Sequence, residues 1–168
     1  MLKNRFNVAL GVVVLMAATL FSACGPKTLI DETHVLKENK WMRFEPEAFL
    51  FDVTNTSDCY QVTMTMCYDT NILKLQSLPL VVDFFADSNE LHNFILTFRM
   101  FDRKGDRRGT LEGSMCTVCD TLDRFRFFNH AATYTYRIKQ RTSRYELFGI
   151  SSVGLKVEEA DLSQKQTR

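Results

Sequence analysis

Alternation of apolar and polar side chains with a period of two constrains the fold of this chain more than any other feature. The clearest run covers residues 60–66, where the apolar positions are Tyr60, Val62, Met64 and Met66. A strand with one buried face and one solvated face requires this spacing. Apart from a short turn near residues 142–147, no stretch shows a helical apolar repeat. The sequence therefore predicts a chain built from strands.

The same alternation recurs along the chain, interrupted by clusters of turn-forming residues. Further predicted strands cover residues 49–53, 80–85, 94–100, 107–112, 134–138 and 150–158. In the last of these, Val153, Leu155 and Val157 are expected to point inward. Turns are predicted at 55–58 and at 102–105, where Gly105 can adopt a positive φ. The second turn is expected to join the strands 94–100 and 107–112 in a hairpin. About seven to nine short strands, with turns roughly ten residues apart, indicate an all-β, antiparallel β-sandwich. The chain contains 14 phenylalanines, which suit the space between two facing sheets, and Phe125, Phe127 and Phe128 are expected to belong to this core.

The amino-terminal residues predict export rather than a part of the fold. A short basic segment precedes an apolar segment, residues 8–21, which is too short for a stable membrane-spanning helix. The ending Ser22-Ala23-Cys24 resembles the lipobox of bacterial lipoproteins, in which the cysteine is acylated and becomes the first mature residue. This resemblance makes Cys24 the expected site of lipid attachment, palmitate included. The alternatives are an ordinary signal peptide cut after Ala23 and an uncleaved membrane helix.

The chain is expected to divide into four parts. These are a signal peptide (1–23), the acylated cysteine with a polar tether (24–34), a β-sandwich domain (35–159) and a polar tail (160–168). No aspartate follows Cys24 and no acidic run lies next to it, so neither inner-membrane retention nor surface transport is signalled. We therefore expect the protein to be attached to the outer membrane and to face the periplasm.

Net charge and isolated histidines argue against several classes of function. The formal net charge is +1, without the basic excess of nucleic-acid-binding proteins. His34, His92 and His130 stand alone, so no metal site is expected. Hydrolase, metalloprotease and phosphate-binding motifs are missing, and we predict no catalytic residue and no cofactor. Asp52 and Asp83 lie in apolar strands, but edge or solvent-facing carboxylates are a commoner explanation than acid–base groups.

Four cysteines follow Cys24, and their spacing limits what they can do. Cys59 and Cys67 are placed on the polar face of one strand, about 26 Å apart. That distance excludes a shared zinc ion and a disulfide. Cys116 and Cys119 are placed in a loop between strands, where a structural disulfide or two free thiols are favoured over a redox centre. The reason is that no helix amino terminus is predicted there to lower a thiol pKa.

Two further features mark candidate contact or modification sites. Arg137, Lys139 and Arg141 form a basic row on one face of a predicted strand. This row is either a solvated face or a docking surface for a partner. The tripeptide centred on Thr121 resembles the motif at which periplasmic Bacteroidetes proteins are O-glycosylated, so Thr121 is a candidate acceptor.

The chain resembles one known family over most of its mature length. The residues that carry the resemblance are Trp41, the strand 58–62, Tyr134 with Tyr136, and the ending 147–158 with Gly149 and Gly154. They look like the gliding-motility lipoprotein H (GldH-like) family of Bacteroidetes. The resemblance implies a non-catalytic outer-membrane lipoprotein, a scaffold or accessory subunit of a gliding-motility or secretion complex in the cell envelope.

Two other functions remain open at the level of sequence. A lipid-anchored module could bind glycan or peptide on an exposed aromatic platform of Trp41, Tyr134 and Tyr136, whereas burial of these side chains favours a scaffold. Cys116 and Cys119 could instead form the centre of a thiol–disulfide enzyme.

Overall fold

The computed structural model describes residues 26–87 and 89–161. The signal peptide, the lipid attachment predicted at Cys24 and the tail beyond residue 161 lie outside these residues. The strands are β1 Thr28–Val35, β2 Lys40–Met42, β3 Glu47–Val53, β4 Tyr60–Asp69, β5 Ser77–Ala86, β6 Asn89–Arg99, β7 Thr110–Glu112, β8 Met115–Arg126, β9 Ala132–Gln140, β10 Glu146–Phe148 and β11 Ile150–Glu159. One short 3₁₀ turn, Lys37–Asn39, lies between β1 and β2.

Two antiparallel sheets and a small ribbon confirm the predicted all-β sandwich. One sheet has five strands in the order β1-β11-β4-β8-β7, and the other has four in the order β3-β9-β5-β6. The strands β2 and β10 form the ribbon. The described residues contain eleven strands, slightly more than predicted, because β1 and β8 lie where a tether and a loop were expected, and because β2 and β10 have only three residues each. Such short strands contain too few residues to show an alternation.

The core lies between the two sheets and is supplied by the alternating positions. In β4, the apolar positions 60, 62, 64 and 66 are all 0% exposed, whereas the threonines between them are half-buried. The inward residues predicted for the last strand, Val153, Leu155 and Val157, are likewise buried in β11. Phe128 joins this core, but Phe127, predicted to do the same, is exposed. Phe127 follows the end of β8 and points away from the sheets.

Strand β1 corrects the predicted domain boundary. Residues 28–34 were expected to belong to a polar tether, but Thr28–Val35 pairs with β11 along its length. The burial pattern of β1 does not alternate, because the strand lies at an edge and mixes acidic with apolar residues. The folded unit therefore begins at Thr28.

Two predictions for residues 107–119, one of a strand pairing and one of a loop, are also wrong. Residues 107–112 were expected to return beside the strand before them, yet β7 pairs with β8 in the other sheet. The expected hairpin is reduced to a short turn, with a bridge from Phe101 to Arg107 and a backbone hydrogen bond from Arg108 N–H to Met100 O at 2.9 Å. Gly105 in this turn has the expected positive φ of 90°. Cys116 and Cys119, placed in a loop by sequence, lie within β8.

The connections between the strands lie at two opposite ends of the sandwich. At one end of the sandwich, Thr28 of β1 pairs with Glu158, which lies beside the start of β4. The connections 54–59 and 127–131 lie at the same end, which we call the Thr28 end. At the other end β1 finishes at Val35, and the connections 36–46 and 141–149 join the strands there. This is called the Val35 end.

Candidate functional site

The three aromatic residues considered for a binding platform are core residues. Trp41, Tyr134 and Tyr136 are 1%, 1% and 3% exposed, respectively. The Tyr134 hydroxyl donates to the carbonyl oxygen of His130 at 2.9 Å, and burial raises the pKa of Tyr136. Between the sheets, Tyr134 stacks on Phe84, and the ring of Tyr136 packs against Phe84 at a tilt of 40°. These side chains therefore stabilise the fold and do not form an exposed aromatic platform.

The basic row of β9 faces outward, but its three cations differ in their surroundings. Lys139 Nζ lies 2.6 Å from Asp83 Oδ2, and Asp83 is only 4% exposed. Asn93 donates a second hydrogen bond to Asp83. The Arg137 guanidinium lies over the ring of Phe85, 4.7 Å from its centroid. Arg141, just beyond β9, is exposed at the Val35 end. The charge of Arg141 therefore faces solvent, whereas that of Lys139 is paired with Asp83.

The structure does not join the predicted cysteine pair. Cys116 and Cys119 are both free thiols, Cys116 buried and Cys119 exposed. Three residues along a strand reverse the direction of a side chain, and Cys116 Sγ accordingly donates inward to Arg108 O while Cys119 approaches Thr65. Cys59 precedes β4 and is buried, contrary to its predicted place on the polar face.

Thr121 also lies in β8 rather than in a loop. It pairs with Thr63 of β4 and is half-buried. Glycosylation of Thr121 remains a prediction.

A histidine between two carboxylates joins the sheets near the Val35 end. His34 Nδ1 lies 2.7 Å from Glu47 Oε2 of β3, and its Nε2 lies 3.0 Å from Glu32 Oε1 of β1. Burial lowers the pKa of His34, but the two carboxylates outweigh this effect and raise it overall above 6.5. The adjacent cleft of about 330 Å³ is lined by Trp41 and Glu45, among others. In residues 26–87 and 89–161, no three metal-ligating side chains converge.

Sequence reasoning missed an exposed cluster at the Val35 end, which we call the arginine–aromatic patch. It consists of Arg43, Phe44, Arg144 and Tyr145. The rings of Phe44 and Tyr145 are 71% and 58% exposed, and their centroids are 5.8 Å apart. The backbone N–H of Arg43 donates to Tyr145 O at 2.8 Å, which brings the two segments together. The recurrence of an arginine–aromatic dipeptide in two non-alternating segments was the available signal.

Two buried side chains fix the segments that carry the patch. Gln140, 2% exposed, donates from Nε2 to Arg144 O and accepts from Thr142 through Oε1. Trp41 donates from Nε1 to Glu45 O at 3.3 Å. Buried polar atoms need partners, and here those partners are the backbone and a hydroxyl of two surface segments.

Comparisons with known proteins give weak structural likenesses. The chain is similar to the PRD1 vertex protein P5, with TM-score 0.43 and 10% identity over 82% of this chain and 99% of that chain. It is also similar to Eiger TNF from S. frugiperda, with TM-score 0.40 and 12% identity over 80% of this chain and 95% of that chain. A third similar structure is that of the infectious bursal disease virus VP2 subviral particle. Its TM-score is 0.40 and its sequence identity is 8%, over 81% of this chain and 34% of that chain. No curated protein matches significantly.

The sequence itself matches one family model. That model, GldH lipoprotein, covers residues 28–157, from the first residue of β1 almost to the end of β11. Within the part of the chain that the structure describes, no helix is long and apolar enough to span a membrane. Because the match includes ten strands in full and most of the eleventh, the chain belongs to the GldH lipoprotein family.

Proposed function

We propose that this protein is a non-catalytic scaffold or accessory subunit of a gliding-motility or secretion-associated complex, anchored to the outer membrane and facing the periplasm. Family membership supports a lipoprotein. The observation that carries the scaffold role is burial of Trp41, Tyr134 and Tyr136. A glycan- or peptide-binding module would need them exposed for stacking, so the alternative lacks its platform.

The start of β1 supports a short connection to the bilayer. Lipid attachment at Cys24 would leave three residues before Thr28, which can span at most about 14 Å. Acyl chains supply roughly 0.8 kcal/mol per buried methylene, and two chains suffice for stable anchoring. The Thr28 end would then be held beside the membrane, with the domain serving as a fixed platform.

Replacing the predicted acylated cysteine tests the anchor. We expect full-length, tagged Cys24→Ala to leave the outer-membrane fraction and to accumulate as soluble protein or uncleaved precursor, because it lacks the thiol that carries the lipid. Metabolic labelling with a palmitate analogue, followed by membrane fractionation, measures both effects. Cys119→Ala, which removes an exposed thiol of β8, is the matched control and should stay labelled and membrane-bound. Unchanged labelling of Cys24→Ala would contradict the anchor.

Cross-linking in living cells tests the scaffold role. The tagged wild-type protein should co-isolate with protein components of one envelope complex, and Cys24→Ala should lose most of that yield because it is no longer confined to the membrane. Quantitative mass spectrometry of both samples gives the comparison. Recovery of only lipid and abundant porins would refute the scaffold role.

A further inference from the structure

We propose that the arginine–aromatic patch is the docking site for a second protein whose contact surface places carboxylates around an apolar side chain. This inference rests on the proposed scaffold function and assigns it a surface and a partner chemistry. Four kinds of observation carry it: the position of the patch, its composition, its charge and the way its two segments are held.

The position of the patch suits contact with a partner beyond the membrane. It occupies connections at the Val35 end, whereas the chain enters β1 at the Thr28 end. The sandwich strands between these ends have up to 12 residues, and a ten-residue strand is about 33 Å long. With the Thr28 end beside the bilayer, the patch therefore points toward whatever lies across the periplasmic space.

The composition of the patch matches that of protein-binding hot spots. Tyrosine, phenylalanine and arginine are enriched in protein interfaces, and tyrosine and arginine contribute a large share of the binding free energy. Phe44 is among the most exposed large apolar side chains of the described residues, and Tyr145 lies against it. The Arg43 guanidinium lies 5.6 Å from the centroid of Phe44. An apolar side chain could insert beside the two rings while the guanidinium groups contact its neighbours.

The charge of the patch favours carboxylates on the partner. Among the ion pairs of the described residues, none includes Arg43 or Arg144, although the adjacent Lys40 pairs with Glu146. Exposed Arg141 adds a further positive charge nearby, whereas exposed Glu45, next to Phe44, adds a negative one. Guanidinium groups bind carboxylates through two parallel hydrogen bonds. An acidic protein surface therefore fits this patch better than a neutral glycan.

The patch is held in place before any partner arrives. Buried Gln140 bonds to the segment that carries Arg144 and Tyr145, and buried Trp41 bonds to the segment that carries Phe44. The Arg43–Tyr145 backbone hydrogen bond then joins the two segments. Surfaces fixed in this way lose less conformational entropy on binding.

Site-specific photo-cross-linking in cells tests the proposal with full-length, anchored protein. A benzophenone amino acid at position 44 or 145 should cross-link to one protein, at a segment of that protein rich in aspartate and glutamate. The matched control is position 127, an exposed phenylalanine at the Thr28 end, where this product should be absent. Mass spectrometry identifies the linked residues on the partner.

Charge reversal supplies the second arm of the test. The double variant Arg43→Glu, Arg144→Glu should reduce the cross-link at position 44 by at least about tenfold, because it replaces attraction by repulsion. Arg124→Glu, an exposed charge on β8 toward the Thr28 end, should change it less than about twofold. Thermal unfolding of the purified variants should show unchanged stability.

Three outcomes would overturn the proposal. The first is a cross-linked partner found at position 127 but not at 44 or 145, which leaves the scaffold function intact and moves its surface. The second is a cross-link at position 44 that is insensitive to charge reversal. The third is attachment of positions 44 and 145 to glycan or lipid instead of protein. If no position captures any protein and co-isolation also fails, the scaffold function itself is refuted.

Discussion

At the scale of single residues, Asp83 shows what alternation along a sequence can and cannot reveal. A strand-edge or solvent-facing carboxylate was the favoured explanation for Asp83 in an apolar strand, but Asp83 is buried, with Lys139 and Asn93 as its partners. In the β5–β9 register Asp83 stands opposite Arg137, yet its ion pair is with Lys139, the diagonal neighbour. Such pairings depend on register between strands that are far apart in sequence.

Removing the cation of this pair should destabilise the domain. Lys139→Met leaves a buried carboxylate with one remaining partner, so we expect a loss of roughly 1–3 kcal/mol in the free energy of unfolding. Urea denaturation of the purified domain measures it. Arg137→Met, which removes a neighbouring cation of the same face that lies over Phe85, should cost less than about 1 kcal/mol. Equal losses in the free energy of unfolding for the two variants would show that the Lys139–Asp83 ion pair does not contribute more to stability than the Arg137–Phe85 contact.

His34 should make stability depend on pH in a defined direction. Its pKa is raised above 6.5 by Glu47 and Glu32 despite the opposing effect of burial. The protonated form is therefore favoured in the folded state, and its contribution is full below pH 6.5 and disappears as pH rises through the folded pKa. We expect the melting temperature of wild type to exceed that of His34→Gln most at pH 6 and least at pH 8.5. A constant difference over this range would contradict the assignment.

At the scale of elements, the strands with strict alternation could be predicted and the edge elements could not. For β3, β4 and β11 the burial pattern follows the sequence, because each has one face against the core. The edge strand β1 has no such pattern, so its sequence looked like a tether. The partner strand predicted for β7 was wrong, because three residues are too few to show an alternation that would indicate to which sheet the strand belongs.

Gly154 of β11 should control how closely β1 packs. A Cβ atom at this position would lie 2.7 Å from Thr33 Oγ1 and 3.2 Å from Glu32 O of β1. Gly154→Ala should therefore push β1 away and reduce stability by about 1–3 kcal/mol. Hydrogen exchange should accelerate in residues 28–35 more than in β4. Ser152→Ala, on the same face of β11, is the control and should leave the protection of β1 unchanged.

At the scale of the whole molecule, fold class and family were accessible from sequence, whereas the arginine–aromatic patch was not. Strand periodicity predicts a sandwich however the strands are ordered. The patch instead depends on the topology, because residues 43–44 and 144–145 meet only when β2 pairs with β10. Gln140, a polar residue at a core position, was the remaining clue to an organised surface segment nearby.

The direction of β1 has a mechanical consequence for a protein held at one end and bound at the other. β1 runs from the Thr28 end to the Val35 end and is hydrogen-bonded along its length to β11. Tension between a lipid at Cys24 and a partner on the patch would pull along the strand axis, whereas ladder hydrogen bonds lie across it. The bonds would therefore be loaded in shear and share the force, instead of opening one after another like a zipper.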